Sequence, residues 1–267
     1  MLATPADNPY QEPRSGRLAA WGNALLAGAA SPDDAAAAVQ GTDDAHRVTG
    51  LPGEAPDSLH GLTWALGRLR SLGAKGLRLA LPVAGHPLGL TGPPSFNSLA
   101  MGAGEAVLAV GVPYGLVPEV EVYGPEGDQG VRVLWQCLPV DDALPADVPS
   151  LDEAERELAD GLRQATAALV RLDVAGAGPE ALRALESFRR QGHRELLAPG
   201  YPPRAVRVLE SARQVSALLH IASGGHGAAV SASEMAARRE ALAPLDRTAR
   251  RAQVAAYNAA VDELRRD

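Results

Sequence analysis

Gly76-Leu-Arg-Leu-Ala-Leu-Pro-Val83 opens the stretch that decides the fold, and Cys137 closes it. Between them lie a loop rich in Gly and Pro and three further apolar segments, at 105–112, 117–123 and 131–138. Each is short, rich in Val or Leu and bounded by Gly or Pro, the pattern of strands. Within 117–123, Val120 and Val122 alternate with Glu119 and Glu121, so the valines are expected on the core face and the glutamates in water. Gly124-Pro-Glu-Gly-Asp-Gln-Gly130 then reads as a hairpin loop. Arg132 is expected across from one of the two glutamates.

Upstream, Pro5, Pro9 and Pro13 make residues 1–14 an extended arm. Leu18, Trp21, Leu25 and Leu26 recur at helical spacing up to Gly28. Ser31-Pro32-Asp33-Asp34 starts a second helix, with Ser as N-cap, Pro at the first position and acids in the first turn. Residues 46–51 read as a short strand. Asp57 or Ser58 is expected to cap a helix reaching Leu72, with Leu59, Leu62, Leu66 and Leu69 on its inner stripe. Strand, helix and the strand 77–83 in this order predict a βαβ unit with a parallel pair. Ser95 or Asn97 is expected to cap a short helix over 98–103.

Downstream, Asp141 to Pro149 reads as an acidic, Pro-containing linker, and everything after it is helical. Ser150-Leu-Asp-Glu153 is a capping box. Leu151, Ala154, Leu158, Leu162, Ala165, Leu169 and Leu172 continue from it as one apolar stripe. Further helices are expected from Glu180 to Gln191, from Arg204 to Ser223, and from Ser231 to about Leu264, the last interrupted or kinked at Pro244. Short connections between them imply antiparallel packing. The expected fold class is α+β. An arm (1–14) precedes a mixed α/β domain (15–140) with a four- to five-stranded sheet. A linker (141–149) leads to a C-terminal helical bundle or paired helical hairpins (150–267).

Composition narrows the function. Hydrophobic residues make up 46% of the 267, enough for a substantial core. The net charge of −7 is carried by the first 150 residues, while the remainder is close to neutral. Neither half has the basic balance of a nucleic-acid binder. Acidic side chains interleave the arginines of the later helices, the mark of solvated helices with i, i+4 ion pairs. The single cysteine, Cys137, rules out an intrachain disulfide and sits mid-strand, where a thiol is usually a small buried hydrophobe. With no apolar run of about 18 residues and no basic-then-apolar start, neither a membrane span nor a signal peptide is expected, which makes the cytoplasm the default location.

No GxSxG elbow, HExxH pair, GxxxxGK[ST] loop or GxGxxG turn occurs, so no catalytic set, metal site or cofactor is expected. Asp43, Asp44 and His46 read as a solvated loop cluster. The strongest ligand-binding candidate is the loop 84–97. It leaves the carboxyl end of a strand expected to be parallel and feeds a helix start, with His86, Thr91, Ser95 and Asn97 as its polar groups. The leading functional expectation is a non-catalytic interaction or regulatory protein. It would engage a protein partner, or another copy of itself, through C-terminal helices bearing Arg204, Arg207, Arg213 and Arg238. The alternative is a small-ligand binder or enzyme, for an anion or nucleotide-like molecule, built on the 84–97 loop.

Overall fold

The computed structural model describes residues 12–125, 127–171, 197–224 and 232–263. Among these are seven helices and one five-stranded sheet, an α+β architecture. In chain order they are α1 (Arg14–Leu26), α2 (Pro32–Gln40), β1 (Ala45–Thr49), α3 (Leu62–Ser71), β2 (Gly76–Ala80), α4 (Pro94–Ala103), β3 (Ala106–Val110), β4 (Tyr114–Tyr123), β5 (Gly130–Pro139), α5 (Leu151–Arg171), α6 (Pro203–Gly224) and α7 (Ala232–Glu263). The helix expected from Glu180 to Gln191 lies outside the described residues. No helix among the described residues is long and apolar enough to cross a membrane.

The sheet order is β1-β5-β4-β3-β2. The β4–β5 hairpin forms as its sequence implies, ten residues against ten, with Glu121 directly across from Arg132. The expected βαβ unit does not form. β1 and β2 occupy opposite edges; β1 pairs parallel with β5, and β2 pairs antiparallel with β3. A strand-helix-strand order fixes nothing about adjacency when later strands insert between the two, and here β3, β4 and β5 all do.

Helix starts follow the local hydrogen bonds. The α2 N–H of Asp34 donates to Ser31 Oγ, as expected of the cap. The α5 N–H of Glu153 donates to Ser150 Oγ, half of the predicted box. α3 begins later than expected, at Leu62 with Gly61 as cap. The Ser58 hydroxyl donates instead to the Ala55 carbonyl, and residue 60 pairs with Val48 of β1, which leaves Leu59 61% exposed. α4 starts at Pro94 with no side-chain cap, so neither Ser95 nor Asn97 caps it. α7 runs through Pro244 without a break, and the Thr248 hydroxyl donates to the Pro244 carbonyl.

One main core joins the early and late parts of the chain. Leu18, Val48, Leu66, Leu77, Leu79, Leu116 and Trp135 share it with Leu158, Leu209, Leu245 and Tyr257. A smaller core lies on the opposite face of the sheet, where Phe96 and Ala100 of α4 pack on Ala80, Ala106, Leu108 and Val117. α4 covers only that part of its face. On the opposite, main-core side the outer end of the hairpin is less well covered: Val120, across from the buried Val133, is half-buried, and Val122 is 38% exposed. Alternation separates the two faces of a strand; it does not guarantee that anything covers either of them.

The edge strand β2 is finished by side chains. Asn23 of α1 donates from Nδ2 to the Leu77 carbonyl and accepts from the Leu77 N–H at Oδ1. Asn258 of α7 does the same at Leu79. Each carboxamide offers the strand one donor and one acceptor, as a neighbouring strand would.

Candidate functional site

The loop 84–97 is held down along its length. Leu88 and Leu90 are buried in the two cores. Its backbone bonds to the 141–149 segment: Gly89 N–H to the Ala146 carbonyl, Ala146 N–H to the Leu90 carbonyl, and Asp141 N–H to the Gly92 carbonyl. The crevice expected beyond a parallel strand has no basis, because β2 is antiparallel to its one strand neighbour.

The four candidate residues divide. His86 is 4% exposed, and its Nε2 donates to Asp147 Oδ2. Arg251 of α7 binds the other carboxylate oxygen and the carbonyl of Asp147, and forks onto both oxygens of Glu157 on α5. Burial raises the Asp147 carboxyl, but the bonds from Arg251 and His86 outweigh it and hold it below its ordinary range. His86 therefore ties loop, linker and two helices together. Asn97 accepts the Gly92 N–H at Oδ1, a bond that shapes the loop. Ser95 is exposed. Thr91 Oγ1 and His86 Nδ1 are buried without a hydrogen-bond partner among the described residues.

A second polar cluster is more deeply placed than the sequence suggests. Asp43 and His46 are 4% and 3% exposed, so the solvated-loop reading of this pair is overturned. Arg14 grips both oxygens of Asp43 at 2.8 Å, Arg17 reaches Oδ2 at 3.1 Å, and His46 Nε2 lies 3.0 Å from Oδ2. The Trp135 indole N–H donates to His46 Nδ1 at 3.2 Å. That bond requires a lone pair on Nδ1, which places the imidazole proton on Nε2, facing the carboxylate. Burial alone would raise the Asp43 carboxyl. Hydrogen bonds from His46 and Arg14 and the charges of Arg14 and Arg17 overcome it and hold the group far below its ordinary range. Beside this cluster, Glu105 accepts the Ser15 N–H at 2.7 Å, acting from a distance as the cap that α1 lacks locally. Burial raises the Glu105 carboxyl despite that bond.

The clue to this network lies in α1 itself. Arg14 and Arg17 sit one turn apart on a helix whose neighbouring positions, Ser15, Leu18 and Ala19, are buried, so their charges need an interior partner.

Cys137 is buried, and burial pushes its thiol up to about 11, which removes the reactivity of a nucleophile. No group of three or more His, Cys, Asp or Glu side chains among the described residues is placed to hold a metal ion.

The candidate partner residues are scattered. Arg204 is exposed and paired with Asp152 and Glu155 of α5. Arg207 is exposed and Arg213 half-buried. The side chain of Arg238 lies outside the described residues. Arg250 pairs with Asp246 at the i, i+4 spacing expected of solvated helices.

Comparison with known proteins adds a family. Searches of curated proteins and of solved structures return no match. Two family models match in succession, and they meet at the start of α5. The Rv1486c-like protein N-terminal domain covers residues 15–149, and the Rv1486c-like protein C-terminal domain covers 152–254. With the sheet and the later helices both accounted for, the chain belongs to the Rv1486c-like family.

Proposed function

We propose that the protein is a non-catalytic interaction or regulatory protein that presents helices of its C-terminal half to a protein partner. The observation that carries this reading is the residual exposure of two leucines. The stripes of α5, α6 and α7 are largely spent in the shared core, where Ala154, Leu158, Val208, Leu209, Val215 and Leu245 are buried. Leu162 of α5, one turn beyond Leu158 on the same stripe, and Leu218 of α6 remain 44% and 45% exposed. Histidines and carboxylates that suit acid–base chemistry are meanwhile occupied in internal networks, as His46 and His86 are. The test is crosslinking-mass spectrometry on the full chain in its native cells. Crosslinks from α5 and α6 to one recurring protein, lost in a Leu162→Glu, Leu218→Glu double variant, support the reading; crosslinks unaffected by that variant defeat it.

A second reading, small-ligand binding at the 84–97 loop, draws on the buried Thr91 Oγ1 and His86 Nδ1, polar atoms of the kind that ligands satisfy. A thermal-shift screen with phosphate, carboxylates and nucleotides tests it. Thr91→Val is the informative control, because it removes one of these atoms while keeping volume. A shift in the wild type that this variant lacks supports the site, and no shift with any probe defeats it.

A further inference from the structure

Among the described residues, no element covers the side of β1, β5 and the outer half of β4 that faces away from the main core. Val133, Trp135 and Cys137 of β5 point into that core, so Arg132, Leu134 and Gln136 lie on the other face. Their cross-strand partners share it: Ala45, Arg47 and Thr49 on β1, and Glu121, Glu119 and Val117 on β4. Of these only Val117 is buried, where the smaller core ends. Arg47, Arg132, Glu119 and Glu121 are exposed, and Leu134, Gln136 and Thr49 are half-buried.

The charges on this face are sorted. The row through its centre reads Arg47, Leu134, Glu119 from β1 across β5 to β4, a cation, an apolar group and an anion. A two-fold axis lying over Leu134 and parallel to β5 turns this row onto its own complement. It sets Leu134 against Leu134, and Arg47 of each copy against Glu119 of the other. Arg132, which would otherwise meet its own image near the axis, leans away over the Tyr123 ring, its guanidinium carbon 3.9 Å from the centroid. A two-fold axis perpendicular to the strands would instead set Glu119 against Glu119. One arrangement is therefore matched in charge and the other opposed, as an isologous interface requires.

The geometry points to a homodimer formed by stacking this open sheet face on the same face of a second copy. Aligned sheet-on-sheet packing with an apolar centre and a charged rim is an established mode of burial. The inference names a different surface and a different partner from the α5 and α6 reading, and neither needs the other.

The test is sedimentation equilibrium on the purified full chain. The wild type is expected to be a dimer whose association weakens with salt. Arg47→Glu and Glu119→Arg each replace two attractive contacts by two repulsive ones, and each is expected to raise the dissociation constant by about 100-fold or more. Mixed one to one, the two variants are expected to form a heterodimer, because each then meets its complement. Recovery on mixing also requires both variants to be folded. A wild type that stays monomeric at every concentration overturns the dimer and assigns the face to some other molecule or to solvent, while leaving the crosslinking test of α5 and α6 intact. A wild-type dimer that tolerates both substitutions, or variants that do not recover on mixing, overturns it equally.

Discussion

Asn258 and Leu79 exchange two hydrogen bonds, the carboxamide of one against the backbone of the other, at 2.7 and 3.1 Å. The contact docks the last described helix onto the far edge of the sheet, and Asn23 repeats it two residues earlier on the strand. Removing the Asn258 carboxamide leaves a buried donor and a buried acceptor without partners. We expect Asn258→Ala to cost about 2–4 kcal/mol, from roughly 1–3 for each orphaned group. Urea unfolding checks it: the midpoint falls while the slope is kept. Asn258→Asp is expected to be no better, since its carboxylate oxygens accept from the Leu79 N–H but cannot donate to the carbonyl.

Asp43 balances the buried Arg14 and the half-buried Arg17. Asp43→Asn removes the negative charge and leaves Arg14 and Arg17 uncompensated, which we expect to cost about 3–5 kcal/mol. The pH dependence has a definite sign. The folded-state value of this carboxyl is depressed below its ordinary 3.8, so its stabilisation is present above that pH and is lost as pH falls through the folded value. A wild-type acid-unfolding profile that Asp43→Asn leaves unchanged below about pH 3.8 contradicts this account.

Glu105 has the opposite sign. Its carboxyl is raised above the ordinary 4.5 by burial, so the folded state holds its proton longer than the unfolded chain. Stability from this group is full below 4.5 and declines as pH rises through the folded value. Glu105→Gln keeps an oxygen for the Ser15 N–H and removes the charge. It is expected to flatten that decline and to raise the melting temperature at neutral pH relative to its effect at pH 4.

Gly89 lies where the loop crosses β2. Its φ is +93°, and a Cβ there would stand 2.9 Å from the Ala80 Cα. Gly89→Ala meets both a disfavoured backbone conformation and a wall of main chain, and is expected to cost about 2–4 kcal/mol. The same substitution at Gly67, on the outer surface of α3 with open space around it, should be neutral or slightly stabilising. Comparing the two melting temperatures separates the strain from a general effect of alanine.

What the sequence made legible is what neighbouring residues decide. The β4–β5 hairpin, the Ser31 and Ser150 caps and the buried Cys137 all follow from contacts within a few residues or within one strand. The position of β1 does not, because its partner residues on β5 lie 87 positions later and three strands intervene. His86 reads as a ligand group because its partner Asp147 is 61 residues away, in a stretch that reads as a linker. Asp43 and His46 read as loop solvation for the same reason: their burial depends on Arg14, Arg17 and Trp135, which no local pattern brings to them. Leu59 shows the converse failure. The stripe at helical spacing predicts one turn more than forms, because residue 60 is claimed by the edge of β1.

The two asparagines that dock onto β2, one from α1 and one from α7, also set an order for the making of the protein. On the ribosome, Leu77 meets Asn23 as soon as both have left the exit tunnel, whereas Leu79 waits for a residue 179 positions later. For that interval the nascent chain carries half of a raw strand edge over an open apolar floor, the kind of surface that chaperones seize and that growing neighbours on a polysome can template.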